Sequence, residues 1–135
     1  MAAAGLHRIL HVDDDRDIRD IVRIALEEKR GYSVESCAST GEALERARVF
    51  RPDLLILDMI MPGKDGLELY QEIRAIDGMA EVPVVFMTSA AQTIDMRAYA
   101  RAGAIGTIMK PFDYATLAEM VEEIWDSRGG QADGA

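Results

Sequence analysis

Cysteine and histidine are scarce in this sequence, which has one cysteine and two histidines among 135 residues. The single cysteine, Cys37, excludes an internal disulfide and is typical of a protein from a reducing compartment. We interpret Cys37 as a small buried residue, because no histidine or second cysteine lies near it in the sequence. His7 and His11 are interpreted as structural residues, since neither belongs to a metal-ligand pattern. A metal centre built from thiolates or imidazoles is therefore not predicted.

Positive charge and long apolar runs are also in short supply. The formal net charge is -9 and the isoelectric point about 4.6, which argues against nucleic acid or an anionic membrane as the main partner. No stretch approaches the roughly 20 apolar residues that cross a bilayer, and the first residues meet charge too early for a signal peptide. We therefore expect a soluble cytoplasmic protein, present as a monomer or a weak dimer.

The most informative stretch of the chain is residues 52–66, PDLLILDMIMPGKDG. Four consecutive apolar residues run without alternation into Asp58, and turn-forming residues follow. An unbroken apolar run of this kind is typical of a strand buried on both faces of a parallel sheet. Asp58 is then at the carboxyl end of a central strand, where open α/β sheets bind their ligands. A carboxylate at such a position is costly to bury without a compensating cation or hydrogen-bond donors.

Apolar runs and amphipathic segments alternate along the rest of the chain. Ser39 and Glu42 form a capping box before the second predicted helix, and Asp113 caps the last one. The alternation predicts an α/β fold, a doubly wound five-stranded parallel sheet with five helices, as one domain over residues 8–126. A flexible N-terminus (1–7) and a disordered, glycine-rich C-terminal tail (127–135) are expected to flank it. The predicted strands are residues 8–12, 32–37, 54–58, 82–87 and 105–109, and the fourth helix is predicted over residues 93–102.

Polar residues follow four of the predicted strands. Asp13 and Asp14 follow the first strand, Asp58 the third, Thr88 the fourth and Lys110 the fifth. Because the carboxyl ends of parallel strands meet at one edge of the sheet, these side chains are expected to converge. Three converging carboxylates repel one another unless a divalent cation neutralises them, and their oxygen ligands suit Mg²⁺ or Mn²⁺. With Lys110 and Thr88 holding phosphoryl oxygens, Asp58 is placed to attack phosphorus and form an acyl phosphate.

Four motifs, in this order, resemble the receiver domains of bacterial two-component response regulators. They are VDDD after the first strand, LLILDMIMPGKDG around the third, FMTS after the fourth and IMKPF after the fifth. The resemblance covers residues 8–126 and implies the flavodoxin-like strand order 2-1-3-4-5. It implies a stand-alone receiver that takes a phosphoryl group from a histidine kinase or a histidine phosphotransfer protein. Rather than acting as an enzyme on other substrates, such a domain catalyses its own phosphorylation and slow dephosphorylation, and phosphorylation changes its binding to a downstream protein.

The resemblance assigns a role to each residue of the acidic cluster. Asp58 is implied to be the phosphoacceptor and a ligand of the metal ion. Asp13 and Asp14 are implied to position Mg²⁺, Asp14 by direct coordination, and the backbone carbonyl of Ile60 is implied to be the remaining protein ligand. No further cofactor is implied.

The resemblance also assigns roles to residues of the fourth and fifth strands. The hydroxyl of Thr88 is implied to move toward the phosphoryl group and Lys110 to pair with it, so that Asp58, Thr88 and Lys110 form the catalytic set. The Lys110–Pro111 peptide bond is implied to be cis, which would aim the lysine inward. Thr107 stands where many receivers have the aromatic residue that turns inward with the threonine. A switch through Thr88 and Thr107 is therefore expected to move less surface.

Two departures near the site predict a long-lived phosphoaspartate. Ile60 and Ala90 occupy the positions that flank the phosphoryl group in this family, and neither side chain can orient a water molecule.

On the predicted fourth helix, Tyr99 lies on the face that receivers commonly use for partners. An exposed aromatic would suit an interface there, although partial burial is expected.

Three other functions stay open at this point. A phosphohydrolase of the haloacid dehalogenase superfamily also uses a nucleophilic aspartate, Mg²⁺, threonine and lysine, but it requires a second aspartate where this chain has Ile60. A flavodoxin requires a hydroxyl-rich phosphate loop where this chain has Asp13 and Asp14, whose charge repels phosphate. The third is a receiver-like interaction domain that works without phosphorylation.

Overall fold

The structure is a computed structural model that describes the backbone of residues 3–89 and 96–134 and the side chains of residues 3–89 and 97–128. The described part forms a five-stranded sheet of order β2-β1-β3-β4-β5, in which every neighbouring pair is parallel. The predicted fold class and strand order are confirmed. The elements are β1 (Arg8–Val12), α1 (Arg16–Arg23), β2 (Ser33–Cys37), α2 (Thr40–Phe50), β3 (Leu54–Asp58), α3 (Gly66–Arg74), β4 (Val84–Ser89), α4 (Met96–Ala102), β5 (Ala104–Lys110) and α5 (Leu117–Gly134).

The central strand β3 positions both the core and the polar edge of the sheet. All 5 of its residues are buried. Leu55 and Leu57 belong to an apolar cluster shared with α2 and α3, whereas Leu54 and Ile56 belong to a second cluster shared with α1 and α5. Burying one such side chain is worth roughly 1.5–3 kcal/mol. Because the strand ends at Asp58, burial on both of its faces holds this carboxylate at the edge of the sheet.

Polar side chains fix the beginnings of two helices. Asp65 accepts from the amide of Glu68 at 2.8 Å, and Glu68 accepts from the amide of Asp65 at 3.3 Å, which completes a capping box for α3. Ser39 caps α2, as predicted, and accepts from the amide of Glu42 at 3.2 Å. The Glu42 carboxylate accepts from the amide of Ala38 at 2.8 Å, so its hydrogen bond reaches one residue further back than a capping box requires.

Some element bounds differ from the predicted ones. Asp113 caps a short 3₁₀ turn, Tyr114–Thr116, and α5 begins after that turn. Strand β4 begins directly after Pro83, which has no amide hydrogen for the sheet. The predicted start of the fourth helix, residues 93–95, lies outside the described residues. Helix α4 ends before Gly103, whose φ of +115° is accessible to glycine at little cost.

The first helix does not stop at Arg23 but continues as a π-helical segment, Ile24–Glu28, which the apolar spacing did not predict. The Glu27 carboxylate in this segment accepts a hydrogen bond from the amide of Val34 at 3.1 Å. Val34 belongs to β2, the edge strand. The contact therefore ties the end of the first helix to the edge of the sheet.

The N-terminal residues pack on the domain, which differs from the predicted loose end. Leu6 is completely buried. The indole nitrogen of Trp125 donates to the carbonyl of Ala4 at 2.9 Å, and the amide of Ala3 donates to the hydroxyl of Tyr32 at 2.8 Å. These partners are 121 and 29 residues away in the sequence, so a local pattern carries no sign of them.

The C-terminal residues likewise differ from the predicted disordered tail, because the backbone stays helical to Gly134. Ser127 donates to the carbonyl of Glu123 at 2.8 Å, and the Arg128 guanidinium lies 3.5 Å from the centroid of the Trp125 ring. These contacts lie at and beyond the end of the apolar face from which the last helix was predicted. None of the helices in the described part of the chain is long and apolar enough to cross a membrane.

Candidate functional site

The polar residues predicted from the strand ends come together at one edge of the sheet. Asp58 ends β3, Thr88 lies in β4, and Lys110 ends β5. Asp13 and Asp14 directly follow β1. One carboxylate oxygen from each of the three aspartates lies within 4.8 Å of the others. The predicted convergence of the three carboxylates is thus observed.

Lys110 joins two of these carboxylates. Its Nζ atom lies 2.8 Å from Asp13 Oδ2 and 3.4 Å from Asp58 Oδ1. Burial opposes the charge on Lys110, but the hydrogen bond to Asp13 and the charges of Asp13 and Asp58 outweigh burial and raise the lysine pKa. Lys110 is therefore protonated at neutral pH and directed into the acidic cluster. The Lys110–Pro111 peptide bond is cis, as the resemblance implied.

Asp58 is confined in a poorly hydrated position. It is 4% exposed, and its Oδ1 atom accepts from the amide of Ile60 at 3.4 Å. Burial raises the pKa of the Asp58 carboxyl, and the nearby charge of Asp13 raises it further. The ammonium of Lys110 and the Ile60 amide oppose this rise without cancelling it. The positive charge of Lys110 alone thus does not compensate the carboxylates.

Backbone contacts hold Asp13 in place, while Asp14 is exposed to solvent. Asp13 is completely buried, and its Oδ1 atom accepts from the amide of Asp15 at 2.9 Å. Arg19 Nη1 donates to the Asp13 carbonyl at 2.9 Å, a contact that the sequence analysis missed. Asp15 in turn caps α1 through its own carboxylate, which accepts from the amide of Asp17 at 2.9 Å. The third aspartate of the run is therefore a helix cap.

The acidic cluster fits a hard divalent cation. Three carboxylates and one ammonium leave two negative charges in excess when all are ionised. The ligand atoms are carboxylate oxygens, which Mg²⁺ and Mn²⁺ prefer, and neither histidine nor cysteine joins the cluster in the described part of the chain. Burial, and then the charge of Asp13, raise the pKa of Asp58, so a cation bound here would favour its ionised form. The role of the Ile60 carbonyl as a further ligand stays a prediction.

Thr88 and Thr107 lie on the neighbouring strands β4 and β5. Thr88 is 1% exposed, and its hydroxyl lies 4.0 Å from the sulfur of Met109. Thr107 is half-buried and pairs in register with Phe86 of β4. Tyr99 is buried, 8% exposed, with its ring 5.4 Å from that of Phe86. Its aromatic face is therefore part of the core rather than of an exposed interface.

His11 lies in β1, two residues before Asp13. The side chain is completely buried, and neither of its ring nitrogens has a hydrogen-bond partner among the residues that the structure describes. Burial first, and then the charges of Lys110 and Arg19, lower the pKa of His11 from 6.5 to about 3. Cys37, 1% exposed, has its thiol pKa raised to about 12, mainly by burial. Both side chains fit the structural roles predicted for them.

Two exposed apolar side chains flank the polar cluster. Ile60, two residues after Asp58, is 58% exposed, and Met109, directly before Lys110, is 49% exposed. The position of Ile60 beside Asp58 was predicted from the sequence, whereas the exposure of Met109 was not. Met109 is exposed because it is on the face of β5 opposite to that of buried Ile108.

Known proteins share both this sequence pattern and this fold. The chain is 36% identical over 116 residues to the transcriptional regulatory protein CseB of Streptomyces coelicolor, an alignment covering 86% of this chain and 48% of that protein. It is 30% identical over 118 residues to the probable C4-dicarboxylate response regulator DctR of Halalkalibacterium halodurans, covering 87% of this chain and 50% of that protein. The chain therefore spans about half the length of the curated relatives it matches.

A solved structure and a family profile agree with these relatives. The chemotaxis response regulator CheY4 of Vibrio cholerae superimposes with a TM-score of 0.79 and 30% identity, over 89% of this chain and 99% of that chain. The profile described as the response regulator receiver domain matches residues 9–122, most of the chain and all of the polar cluster. The chain belongs to the response regulator receiver domain family.

Proposed function

We propose that this receiver domain accepts a phosphoryl group on Asp58 from a histidine kinase or a histidine phosphotransfer protein of a two-component system or phosphorelay. The observation that carries the proposal is the placement of Asp58. Its carboxylate ends the buried central strand, with Lys110 Nζ at 3.4 Å and two more carboxylates within 4.8 Å. One edge of the sheet thus brings together a candidate nucleophile, a cation and an acidic cluster that suits a metal ion.

Asp58, Lys110 and Thr88 each have a separate role in the proposed phosphoryl transfer. An oxygen of Asp58 attacks phosphorus, and a new O–P bond forms as the P–N bond of phosphohistidine breaks. The departing imidazole keeps the electron pair and takes up a proton. Lys110 then pairs with one phosphoryl oxygen and the Thr88 hydroxyl donates to another. Asp13, Asp14, Asp58 and the Ile60 carbonyl would hold Mg²⁺, which would supply positive charge at the phosphoryl group.

Slow dephosphorylation follows from the same surroundings. Ile60 is 58% exposed beside Asp58 and has no polar atom in its side chain to orient an attacking water. Ala90, the second position of this prediction, lies outside the described residues. We expect the phosphorylated form to persist after the phosphodonor is removed. Ile60 also disfavours the haloacid dehalogenase reaction, which requires an acid and base at that position.

Partner binding is the expected output of phosphorylation. Thr88 and Thr107 are the proposed switch residues, and Thr107 displaces less volume than the aromatic residue it replaces. The change in surface is therefore small, and a downstream protein reads it without nucleic acid or membrane contact by this domain. Action in the cytoplasm, as a monomer or weak dimer, belongs to the same proposal.

Intact-protein mass measurement tests the proposal. Wild type incubated with acetyl phosphate and Mg²⁺ should gain one phosphoryl group, and chelation of Mg²⁺ by EDTA should prevent the gain. Asp58→Asn should show no gain. Asp53→Asn is the matched control, since Asp53 directly precedes the same strand, away from the cluster, and its side chain accepts from the backbone amides of residues 7 and 8. A gain in Asp58→Asn, or no gain in wild type with either acetyl phosphate or a panel of histidine kinases, would overturn it.

A further inference from the structure

Met109 is an exposed methionine at the edge of the sheet where Asp58 and Lys110 lie. It directly precedes Lys110, pairs in register with Thr88 across β4 and β5, and is 49% exposed. Its Sδ atom lies 4.0 Å from the Thr88 hydroxyl oxygen, within reach of a weak hydrogen bond. Thr88 itself is 1% exposed, so the thioether covers a hydroxyl that has little access to water.

We propose that Met109 is a modification site, oxidised to the sulfoxide by a two-electron oxidant such as hydrogen peroxide, and that the sulfoxide restrains Thr88. In this step a lone pair of Sδ takes one oxygen atom from the peroxide. The S–O bond forms as the O–O bond breaks, and the sulfur is oxidised by two electrons. The departing hydroxide takes up the proton of the transferred oxygen and leaves as water.

Among the methionines whose side chains are described, Met109 is the one whose exposure favours oxidation. Oxidation of methionine follows access of the oxidant to sulfur. Met120 is half-buried. The four others are at most 7% exposed, and they are Met59, Met61, Met79 and Met87. Met109 is thus the described methionine that the oxidant reaches without opening the core.

The sulfoxide changes the chemistry next to Thr88. A thioether sulfur is a weak acceptor, whereas a sulfoxide oxygen is polar and accepts strongly. The 4.0 Å between Sδ and the hydroxyl leaves room for one oxygen atom at the usual O–H···O distance of about 2.5–3.0 Å. Thr88 has one hydroxyl hydrogen, so donation to the sulfoxide competes with donation to a phosphoryl oxygen on Asp58.

This inference rests on the proposed function, because the competition matters only if Thr88 contacts a phosphoryl group. Loss of one net neutral hydrogen bond corresponds to about a 2- to 12-fold lower rate of phosphorylation. Oxidation would then make the domain less responsive to its phosphodonor. Methionine sulfoxide reductase would restore the response, because the modification is reversible.

The test uses the full chain, treated with hydrogen peroxide until about one oxygen atom is added per molecule. Peptide mass mapping locates the oxygen, and acetyl phosphate with Mg²⁺ gives the phosphorylation rate before and after treatment. Met109→Leu keeps an apolar side chain of similar size without sulfur, and its rate should be insensitive to peroxide. Thr88→Ala removes the competing hydroxyl, so oxidation of Met109 should change its rate by less than about 2-fold.

The inference is supported if Met109 is oxidised before the buried methionines, the wild-type rate falls by about 2- to 12-fold, and the reductase restores it. It is overturned if Met109 is not the first of these to react, or if its oxidation leaves the rate unchanged. An equal loss in Met109→Leu or in Thr88→Ala also overturns it, because the effect would then not pass between the two side chains. If untreated wild type is not phosphorylated at all, the proposed function fails, and this inference fails with it.

Discussion

Replacing Tyr32 by phenylalanine tests how the N-terminal residues are held to the domain. The Tyr32 hydroxyl donates to Glu122 Oε2 at 2.6 Å and accepts from the amide of Ala3 at 2.8 Å. Arg30 Nη1 lies 2.9 Å from the other oxygen of the same glutamate, so two side chains of the loop before β2 bind this carboxylate of α5. Tyr32→Phe keeps the ring, 2% exposed, and removes only the hydroxyl. Because the bond to Glu122 is charge-assisted, we expect a loss of about 1.5–3 kcal/mol in the free energy of unfolding at pH 8.

The size of this loss should depend on pH. Burial, and then the hydrogen bond to Glu122, raise the pKa of Tyr32 from 10.0 to about 12. Above pH 10 the unfolded chain loses this proton while the folded chain keeps it, so the stability of wild type falls as pH rises toward 12. At pH 11, one unit above the unfolded pKa, the fall is about 1.4 kcal/mol. Tyr32→Phe lacks the phenol, and the difference between the two proteins should narrow by that amount.

Urea denaturation at pH 8 and pH 11, followed by circular dichroism, measures both quantities. Tyr114→Phe is the control for loss of a phenol hydroxyl at an exposed site, since Tyr114 is 41% exposed, and we expect it to change stability by less than about 0.5 kcal/mol. A loss in Tyr32→Phe no larger than in Tyr114→Phe would refute the role of the hydroxyl. A difference between wild type and Tyr32→Phe that is the same at both pH values would refute the pH argument.

Two further substitutions probe the surroundings of the polar cluster. A Cβ atom at Gly66 would lie 2.6 Å from the carbonyl oxygen of Asp58, so Gly66→Ala should lower the free energy of unfolding by about 1–3 kcal/mol and slow phosphorylation. Gly41→Ala is the control, because nothing lies within 4 Å of its Cβ, and it should raise the free energy of unfolding by about 0.4–1 kcal/mol. Urea denaturation with the acetyl phosphate rate checks both, and equal effects would contradict the steric argument. His11→Leu removes two buried nitrogens that have no hydrogen-bond partner in the described part of the chain. It should raise the free energy of unfolding by about 1–3 kcal/mol, and a decrease would contradict their lack of partners.

The sheet and its polar edge were predictable because both depend on local sequence. The unbroken apolar run before Asp58 and the polar residues after three other strands place the cluster once the strands are parallel. The Lys110 contact with Asp13 spans 97 residues, yet it follows from the same rule that parallel strands end together.

Other features depend on which distant side chains meet, and the sequence carried little sign of them. Leu6 is buried because the N-terminal residues contact Trp125 and Tyr32. Neither hydrophobic periodicity nor a helix-capping residue predicts these contacts. The π-helical segment after Arg23 and the contact between Met109 and Thr88 likewise depend on packing between elements. Tyr99 is buried because its ring meets Phe86, a contact that helix position alone did not specify.

The most direct test of the central claim is the location of the phosphoryl group. Wild type is phosphorylated with acetyl phosphate and Mg²⁺, digested under acidic conditions and mapped by peptide mass. The account predicts one phosphoryl group, on the peptide that contains Asp58, which persists after the donor is removed. A phosphoryl group on another residue, or a protein that stays unmodified with every phosphodonor, would contradict it.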